Sequence, residues 1–164
     1  MANHLTFVDD YLLALLAQAS QIISSEFHDI VQKNGLTITE WRVLSILSST
    51  GIISVGDLAR VSTSKQPTVT RVVDKLVTAG YVRRIEHQSD RRVTLVKITP
   101  AGRTLITGLI DKAKEHEKDV IRRLQPLDVG RLKESLRSII MQDRERSAQT
   151  TGARLSDQPA NAEC

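Results

Sequence analysis

Pro67-Thr68-Val69-Thr70-Arg71-Val72-Val73-Asp74-Lys75-Leu76-Val77 is the stretch that decides the fold of this chain. At about 100° per residue, Val69, Val72, Val73, Leu76 and Val77 fall on one side of a helix, the spacing of a buried stripe. Pro67, Thr70, Arg71 and Asp74 face the other way, with Thr68 and Lys75 at the margins. One face is therefore held by a core, and the other carries hydroxyl, guanidinium and ammonium groups. Arginine can bond bidentately to guanine, hydroxyls reach bases or phosphates, and a threonine methyl or proline ring packs on a thymine methyl. Ser62, Ser64, Lys65 and Gln66 lead into the helix, where unpaired backbone N–H groups favour phosphate. An ordinary amphipathic helix with a polar outside has the same pattern, so the flanking segments must decide between the two.

Downstream, Gly80 stops the helix and the periodicity changes. Tyr81–Ile85 and Val93–Ile98 are β-branched-rich runs on either side of the polar loop His87–Arg92, which predicts a hairpin. The tip Ser89-Asp90-Arg91-Arg92 sets two adjacent arginines where little apolar surface can hold their stems. An exposed arginine tip can enter the narrow minor groove beside a helix lying in the major groove. Asp90 can brace such an arginine through a charge-assisted hydrogen bond. A solvated surface turn is the bland alternative, and His87 reads as a solvated residue. The tip, taken with the helix before it, favours nucleic acid.

Upstream, Ser54-Val-Gly-Asp57 opens a short helix through Leu58, Ala59 and Val61. Thr37-Ile-Thr-Glu40 fits a capping box for a helix that carries Trp41, Leu44 and Leu47 and closes at Gly51. A long helical pattern runs from Phe7 to about Val31 and ends at Asn34-Gly35. Its apolar stripe is wider than burial in one small domain requires, as Leu13 shows, so it is a candidate for contact with another chain. Beyond the hairpin, Thr99-Pro100 caps a long helix through Leu124, Pro126 interrupts, and Asp128 caps a last helix with Leu132, Leu136, Ile139 and Ile140. From Ser147 the composition is too polar to offset ordering, so residues 147–164 read as a disordered tail.

Charge supports this organisation. Of the net +4, residues 1–59 carry −4, residues 60–97 carry +6 and residues 98–164 carry +2. The excess coincides with the helix-turn-helix and hairpin. The 164 residues contain two Phe, two Tyr and one Trp, too few for a stacking platform that grips single strands. Cys164 is the sole cysteine, which excludes an internal disulfide or a cysteine-built zinc site. No apolar run approaches the roughly 18 residues of a spanning helix, and no secretory signal is evident, so a cytoplasmic protein is expected.

Taken together, Leu58-Ala-Arg-Val-Ser62, Pro67 through Leu76, Ala79-Gly80-Tyr-Val-Arg-Arg84, Asp90-Arg-Arg92 and Ile98-Thr-Pro-Ala-Gly102 resemble the MarR family of winged-helix transcriptional regulators. The resemblance spans roughly residues 7–146. It implies a mainly α fold with a small β-hairpin wing: a helix-turn-helix and wing at about 37–98, with dimerisation helices at about 7–34 and 99–146. It further implies a homodimer on a pseudo-palindromic operator in double-stranded DNA, commonly a repressor released by a small molecule. By position, Thr68, Thr70 and Arg71 match recognition-helix contacts and Arg92 matches the minor-groove arginine of the wing. Asp90 matches its brace, and Arg91 occupies a more variable place. Members that sense oxidants do so through a cysteine in the N-terminal half, which this chain lacks.

Ser24, Ser25, His28 and Arg42 are polar residues within the otherwise apolar first two helical segments, and Arg42 directly follows Trp41. A guanidinium beside a flat ring suits a carboxylate head on an aromatic body. Equally, Arg42 can lie on the helix surface and His28 can make a capping or interhelical bond. The resemblance, rather than the spacing, selects an aromatic carboxylate or its thioester as effector. Two other classes are weaker. A winged helix that only binds proteins needs neither the +6 centre nor an arginine-tipped wing. An enzyme is not expected, since His4, His28, His87 and His116 are scattered, no phosphate-cradling glycine loop occurs, and no cofactor or metal motif is present.

Overall fold

The structure is a computed structural model that describes residues 6–87, 90 and 93–156, with side chains through Arg146. Its elements in chain order are α1 (Phe7–Asp10), α2 (Leu12–Lys33), α3 (Ile38–Thr50), β1 (Ile52–Ser54), α4 (Val55–Val61), α5 (Gln66–Thr78), β2 (Val82–Glu86), β3 (Thr94–Ile98), α6 (Pro100–Arg123) and α7 (Val129–Ser156). The chain divides after Lys118 into two compact units. The mainly helical fold class with a hairpin wing, expected from the sequence, is the one observed.

In the first unit α3 is the hub, packing against α2, α4, α5, β1 and β3. Its Val43, Leu44 and Leu47 are fully buried, as are Leu58 of α4 and Val69 and Val73 of α5. The antiparallel sheet has the order β1-β3-β2, with Ile53 opposite Val96 and Val82 opposite Ile98. β1 is absent from the sequence expectation, because three residues between Gly51 and a capping residue show no periodicity. Its presence makes β3 the central strand, which explains why adjacent Leu95 and Val96 are both at least partly covered.

Local chemistry sets the boundaries. The Thr37–Glu40 box forms: the Glu40 N–H donates to Thr37 Oγ1 at 3.3 Å, and the Thr37 N–H donates to Glu40 Oε2 at 2.7 Å. Ser54 caps α4, but the Asp57 carboxylate takes the Ser54 hydroxyl (2.8 Å) instead of its backbone N–H, so only half of the second box is made. Gly51 and Gly80 close α3 and α5 with φ of 78° and 76°, the left-handed region that glycine enters without penalty. At the start of α6, Thr99 Oγ1 accepts from the Gly102 N–H at 3.1 Å and donates to the Gly80 carbonyl at 2.7 Å. A Cβ on Gly102 would stand 2.1 Å from the Tyr81 carbonyl oxygen, so backbone meets backbone there.

Two helices depart from expectation. The first pattern is broken at Tyr11, which is extended (φ −76°, ψ 113°). Asp9 closes a capping box at the N-terminus of the short α1, its Oδ2 accepting from the Thr6 N–H at 2.9 Å and from the Thr6 hydroxyl at 2.7 Å. In the second unit Asp128 Oδ1 accepts from the Arg131 N–H at 3.0 Å, as a cap should. α7 then continues to Ser156, past residue 147 where the composition places the start of a tail, because Ala, Gln and Arg are tolerable helix formers. Residues 157–164, including Cys164, lie outside the described residues. Large apolar side chains stay exposed in each unit: Phe7, Leu12, Leu13 and Ile22 in the first, Leu136, Ile139, Ile140 and Met141 in the second. Among the described residues no helix is long and apolar enough to cross a membrane.

Among the described residues Glu40 is the one buried carboxylate, 3% exposed, and Lys75 of α5 reaches it at 2.6 Å. Burial pushes its carboxyl up, but the Lys75 bond, the two Thr37 bonds and the Lys75 charge outweigh that and hold it below its ordinary value. The ionised carboxylate thus ties the first turn of α3 to α5. Glu40→Gln is expected to lower unfolding free energy by about 1–2 kcal/mol at neutral pH. Because the folded value is depressed, this advantage of the native residue is present above pH 4.5 and lost as pH falls through the folded value. Denaturant unfolding of both proteins at neutral pH and at about pH 3 checks it: a gap that does not narrow in acid refutes the assignment.

Candidate nucleic-acid interface and adjoining cavity

α5 buries Val69, Val73 and Leu76, half-buries Val72 and Val77, and turns Gln66, Pro67, Thr68, Arg71, Asp74 and Lys75 outward. Lys65 is its N-cap residue, and proline in the first turn costs no hydrogen bond there. Thr70 is half-buried and donates its hydroxyl to the Gln66 carbonyl at 3.0 Å. The polar side is already sorted by its partners. Asp74 holds Arg84 of β2 at 2.6 Å, and Lys75 holds Glu40. Lys65 and Arg71 make no ion pair among the described residues, so they are the cations of this face that remain for an outside anion. Gln66, Thr70, Arg84 and Thr94 frame a groove of about 270 Å³ between α5 and the wing.

The turn before α5 corrects one expectation. Ser62 is 3% exposed and donates its hydroxyl to the Ala59 carbonyl at 3.2 Å, so its side chain is not presented at the surface. It is the C-cap of α4 rather than the start of α5, and its hydroxyl shares the Ala59 carbonyl with the Ser64 N–H, which donates to the same oxygen at 3.0 Å. Ser64 is half-buried and donates to the Ser62 carbonyl at 3.1 Å. Between them Thr63 has φ 52°, a left-handed backbone that costs a β-branched residue roughly 1–3 kcal/mol. Its hydroxyl also donates to the Ser62 carbonyl, at 2.7 Å.

In the wing, the Asp90 N–H donates to His87 Nδ1 at 3.1 Å, and the Val93 N–H donates to the Asp90 carbonyl. His87 is therefore half-buried and built into the loop, not simply solvated as its sequence context suggests. Ser89, Arg91 and Arg92 lie outside the described residues.

A cavity of about 250 Å³ opens on the other side of α3, lined by Ile23, Ser24, Phe27 and His28 of α2, Ile38, Trp41 and Arg42 of α3, and Ala113 and His116 of α6. Four of the five residues suggested by the sequence meet here. Ser25 does not: it faces out and donates to the Ile22 carbonyl at 2.7 Å. Phe27 and His116 are the additions. Their rings stand 5.7 Å apart, Phe27 lies 5.1 Å from Trp41, and His116 Nε2 meets Glu26 Oε2 at 3.2 Å. His116 continues the Leu109–Ala113 stripe of α6, and a polar residue on that stripe was the available signal. Aromatic walls with a guanidinium and imidazoles suit a small flat acid. Among the described residues no cluster of His, Cys, Asp or Glu could hold a metal ion.

Comparison with known proteins agrees with this architecture. Residues 36–94 match the MarR family. The crystal structure of the MarR family transcriptional regulator SPO1453 from Silicibacter pomeroyi DSS-3 aligns with a TM-score of 0.72 at 38% identity, over 82% of this chain and 96% of that one. Bordetella bronchiseptica BpsR, whose DNA binding is regulated by 6-hydroxynicotinic acid, aligns with a TM-score of 0.66 at 26% identity, over 76% of this chain and 95% of that one. The homoprotocatechuate degradative operon repressor of Escherichia coli is 26% identical over 71% of this chain and 76% of its own length. With α5 set beside a hairpin wing, and this likeness across nearly all of a solved relative, the chain belongs to the MarR family of winged-helix transcriptional regulators.

Proposed function

We propose that the protein is a homodimeric repressor that binds a pseudo-palindromic operator and is released by a small aromatic carboxylate, or its thioester, held in the cavity behind α3. The observation that carries the DNA half is the sorting of the α5 face: the acid and one lysine are tied to the protein, which leaves Lys65 and Arg71 outward beside Gln66, Pro67 and Thr68. In this reading Arg71 reads a base, with Thr68 and Thr70 beside it, and Lys65 and the Ser64 turn sit on phosphate. The wing arginines, Arg92 above all, enter the minor groove with Asp90 as brace. Lys75 serves mainly to hold Glu40. The protein acts on duplex DNA in the cytoplasm.

Support for the effector comes from the cavity lining and from BpsR and the homoprotocatechuate repressor, whose names connect regulators of this family with aromatic compounds. Support for the dimer comes from the exposed apolar side chains of α1, α2 and α7, which a water-facing helix would not retain. A two-fold dimer requires half-sites about one DNA turn apart, roughly 10 bp.

Three outcomes test this reading. In fluorescence anisotropy with a panel of duplexes, Arg71→Ala relaxes base preference at one or two positions per half-site, at a cost of about 1–3 kcal/mol. Lys65→Ala weakens all sequences alike and makes the salt slope shallower by about one. Identical losses for both variants across the panel defeat the division of roles. Trp41 is the sole tryptophan, so its emission reports occupancy of the cavity. Titration with 4-hydroxyphenylacetate, salicylate and 6-hydroxynicotinate should shift that emission for at least one acid and lower operator affinity by about 5- to 150-fold. No shift with any of them removes the effector assignment. Light scattering at micromolar concentration should give a dimer, and Ile139→Lys with Ile140→Lys should shift it toward monomer; a native monomer is inconsistent with the assembly proposed.

A further inference from the structure

Arg42 belongs both to the lining of the cavity and to the surroundings of the turn that precedes α5. It lines the cavity beside Trp41, and its Nη1 also donates to the Ser62 carbonyl, twenty residues along the chain, at 3.5 Å. That carbonyl sits at the pivot of the turn into the reading helix. It collects the Thr63 and Ser64 hydroxyls as well, and α5 begins at Gln66. The turn holds Thr63 in the left-handed region, a conformation that persists only where surrounding bonds impose it. Arg42 is the one of these donors that comes from outside the turn.

The bond it makes is a weak use of a guanidinium. The acceptor is a neutral carbonyl already bonded to two hydroxyls, and the distance is at the long limit for a hydrogen bond. Arg42 is half-buried and makes no ion pair among the described residues. A carboxylate is a stronger acceptor, and it can take two parallel N–H bonds from the same group. The backbone carrying Arg42 is fixed by the Thr37–Glu40 box and the Glu40–Lys75 pair, so the side chain is the part that can move. On the far side of the cavity, Glu26 is engaged by His116, which leaves Arg42 as the cavity's unpaired cation among the described residues.

We propose that Arg42 is the positioning residue that links the two sites: without effector it braces the Ser62 carbonyl, and an effector carboxylate draws it into the cavity and unbraces the turn. This rests on the effector reading of the cavity given above. It adds a requirement on chemistry, because the acid group itself, beyond the fit of the ring, carries the signal. A neutral amide of the same shape occupies the cavity against Trp41 and leaves Arg42 on Ser62. Binding and release of DNA are therefore separable by a single functional group.

The test uses the full chain, with Trp41 emission for occupancy and operator anisotropy for release. For the native protein, 4-hydroxyphenylacetate is expected to shift the emission and to release DNA. 4-Hydroxyphenylacetamide is expected to shift the emission while leaving operator affinity within about twofold. Equal release by the amide overturns the proposal. Without any effector, Arg42→Gln should bind operator about tenfold more weakly, with an unchanged salt slope and faster amide exchange at Thr63 and Ser64; the acid should then cause no further release. Native affinity and native turn protection in this variant overturn the brace, and a salt slope reduced by about one shows instead a direct phosphate contact by Arg42. If neither the acid nor the amide shifts Trp41 emission, the effector reading fails together with the exchange built on it, while the effector-free variant still decides whether Arg42 braces the turn. The native-protein arm needs no substitution, so a folding defect in the variant does not leave the question open.

Discussion

Burial of Val69, Val73 and Leu76 against the α3 core fixes which face of α5 is left outside, and every feature of the interface follows from that orientation. A helix rotated by one residue about its axis would turn Arg71 toward the core and expose a valine. Isolated helices of this length are marginal in water, so tertiary packing supplies the stability that holds the outward face in place. α3 is the element that makes this possible, since it meets both the helices and the sheet. Its N-terminal end carries the cap, the buried carboxylate and three cavity-lining residues within six positions of sequence, Thr37 to Arg42.

Electrostatics then refines what packing permits. The central segment carries nine basic and three acidic residues, yet its cations are not equivalent. Lys75 and Arg84 are held by Glu40 and Asp74, one pair anchored on a buried carboxylate and the other exposed. Exposed pairs of the second kind contribute at most about 1 kcal/mol, so Asp74–Arg84 is better understood as fixing the angle of the strand than as stabilising the fold. Counting charges along a sequence overstates the number available to an external partner, because it cannot show which are already compensated by residues distant in the chain.

The same limit separates what the sequence discloses from what it hides. Helix starts and stops were legible wherever a local chemical device marks them: Thr37 with Glu40, Gly51, Gly80, Thr99 with Pro100, and Asp128. The hairpin was legible from its β-branched runs. β1 was not, because a strand of three residues is made by its pairing with β3 rather than by its own pattern. Ser62 and His87 were misjudged because burial of a polar side chain depends on the turn around it. For the cavity, Ser24, His28, Trp41 and Arg42 could be suspected from polar residues inside apolar segments, but Ser25, one position along, faces away at 100° of rotation per residue. Phe27 looked like part of an ordinary apolar stripe, and His116 like one of several scattered histidines, until α2 and α6 were brought together around α3.

The contact between Gly102 and the Tyr81 carbonyl has a consequence for how such a protein can diversify. At that point the Tyr81 backbone lies directly against Gly102, with the Ile98 side chain beside it, so a larger residue at 102 would push the base of the wing and the start of α6 apart. The Thr99 hydroxyl bonds the Gly80 and Tyr81 carbonyls, and the strands are held further by the buried Val82, Val96 and Ile98 and by the pairing of β3 with β1. Variation in length or composition is therefore tolerated only between Glu86 and Thr94, outside the paired and buried part of the strands. The loop is thereby left to vary in sequence, while the mounting of the hairpin stays the same.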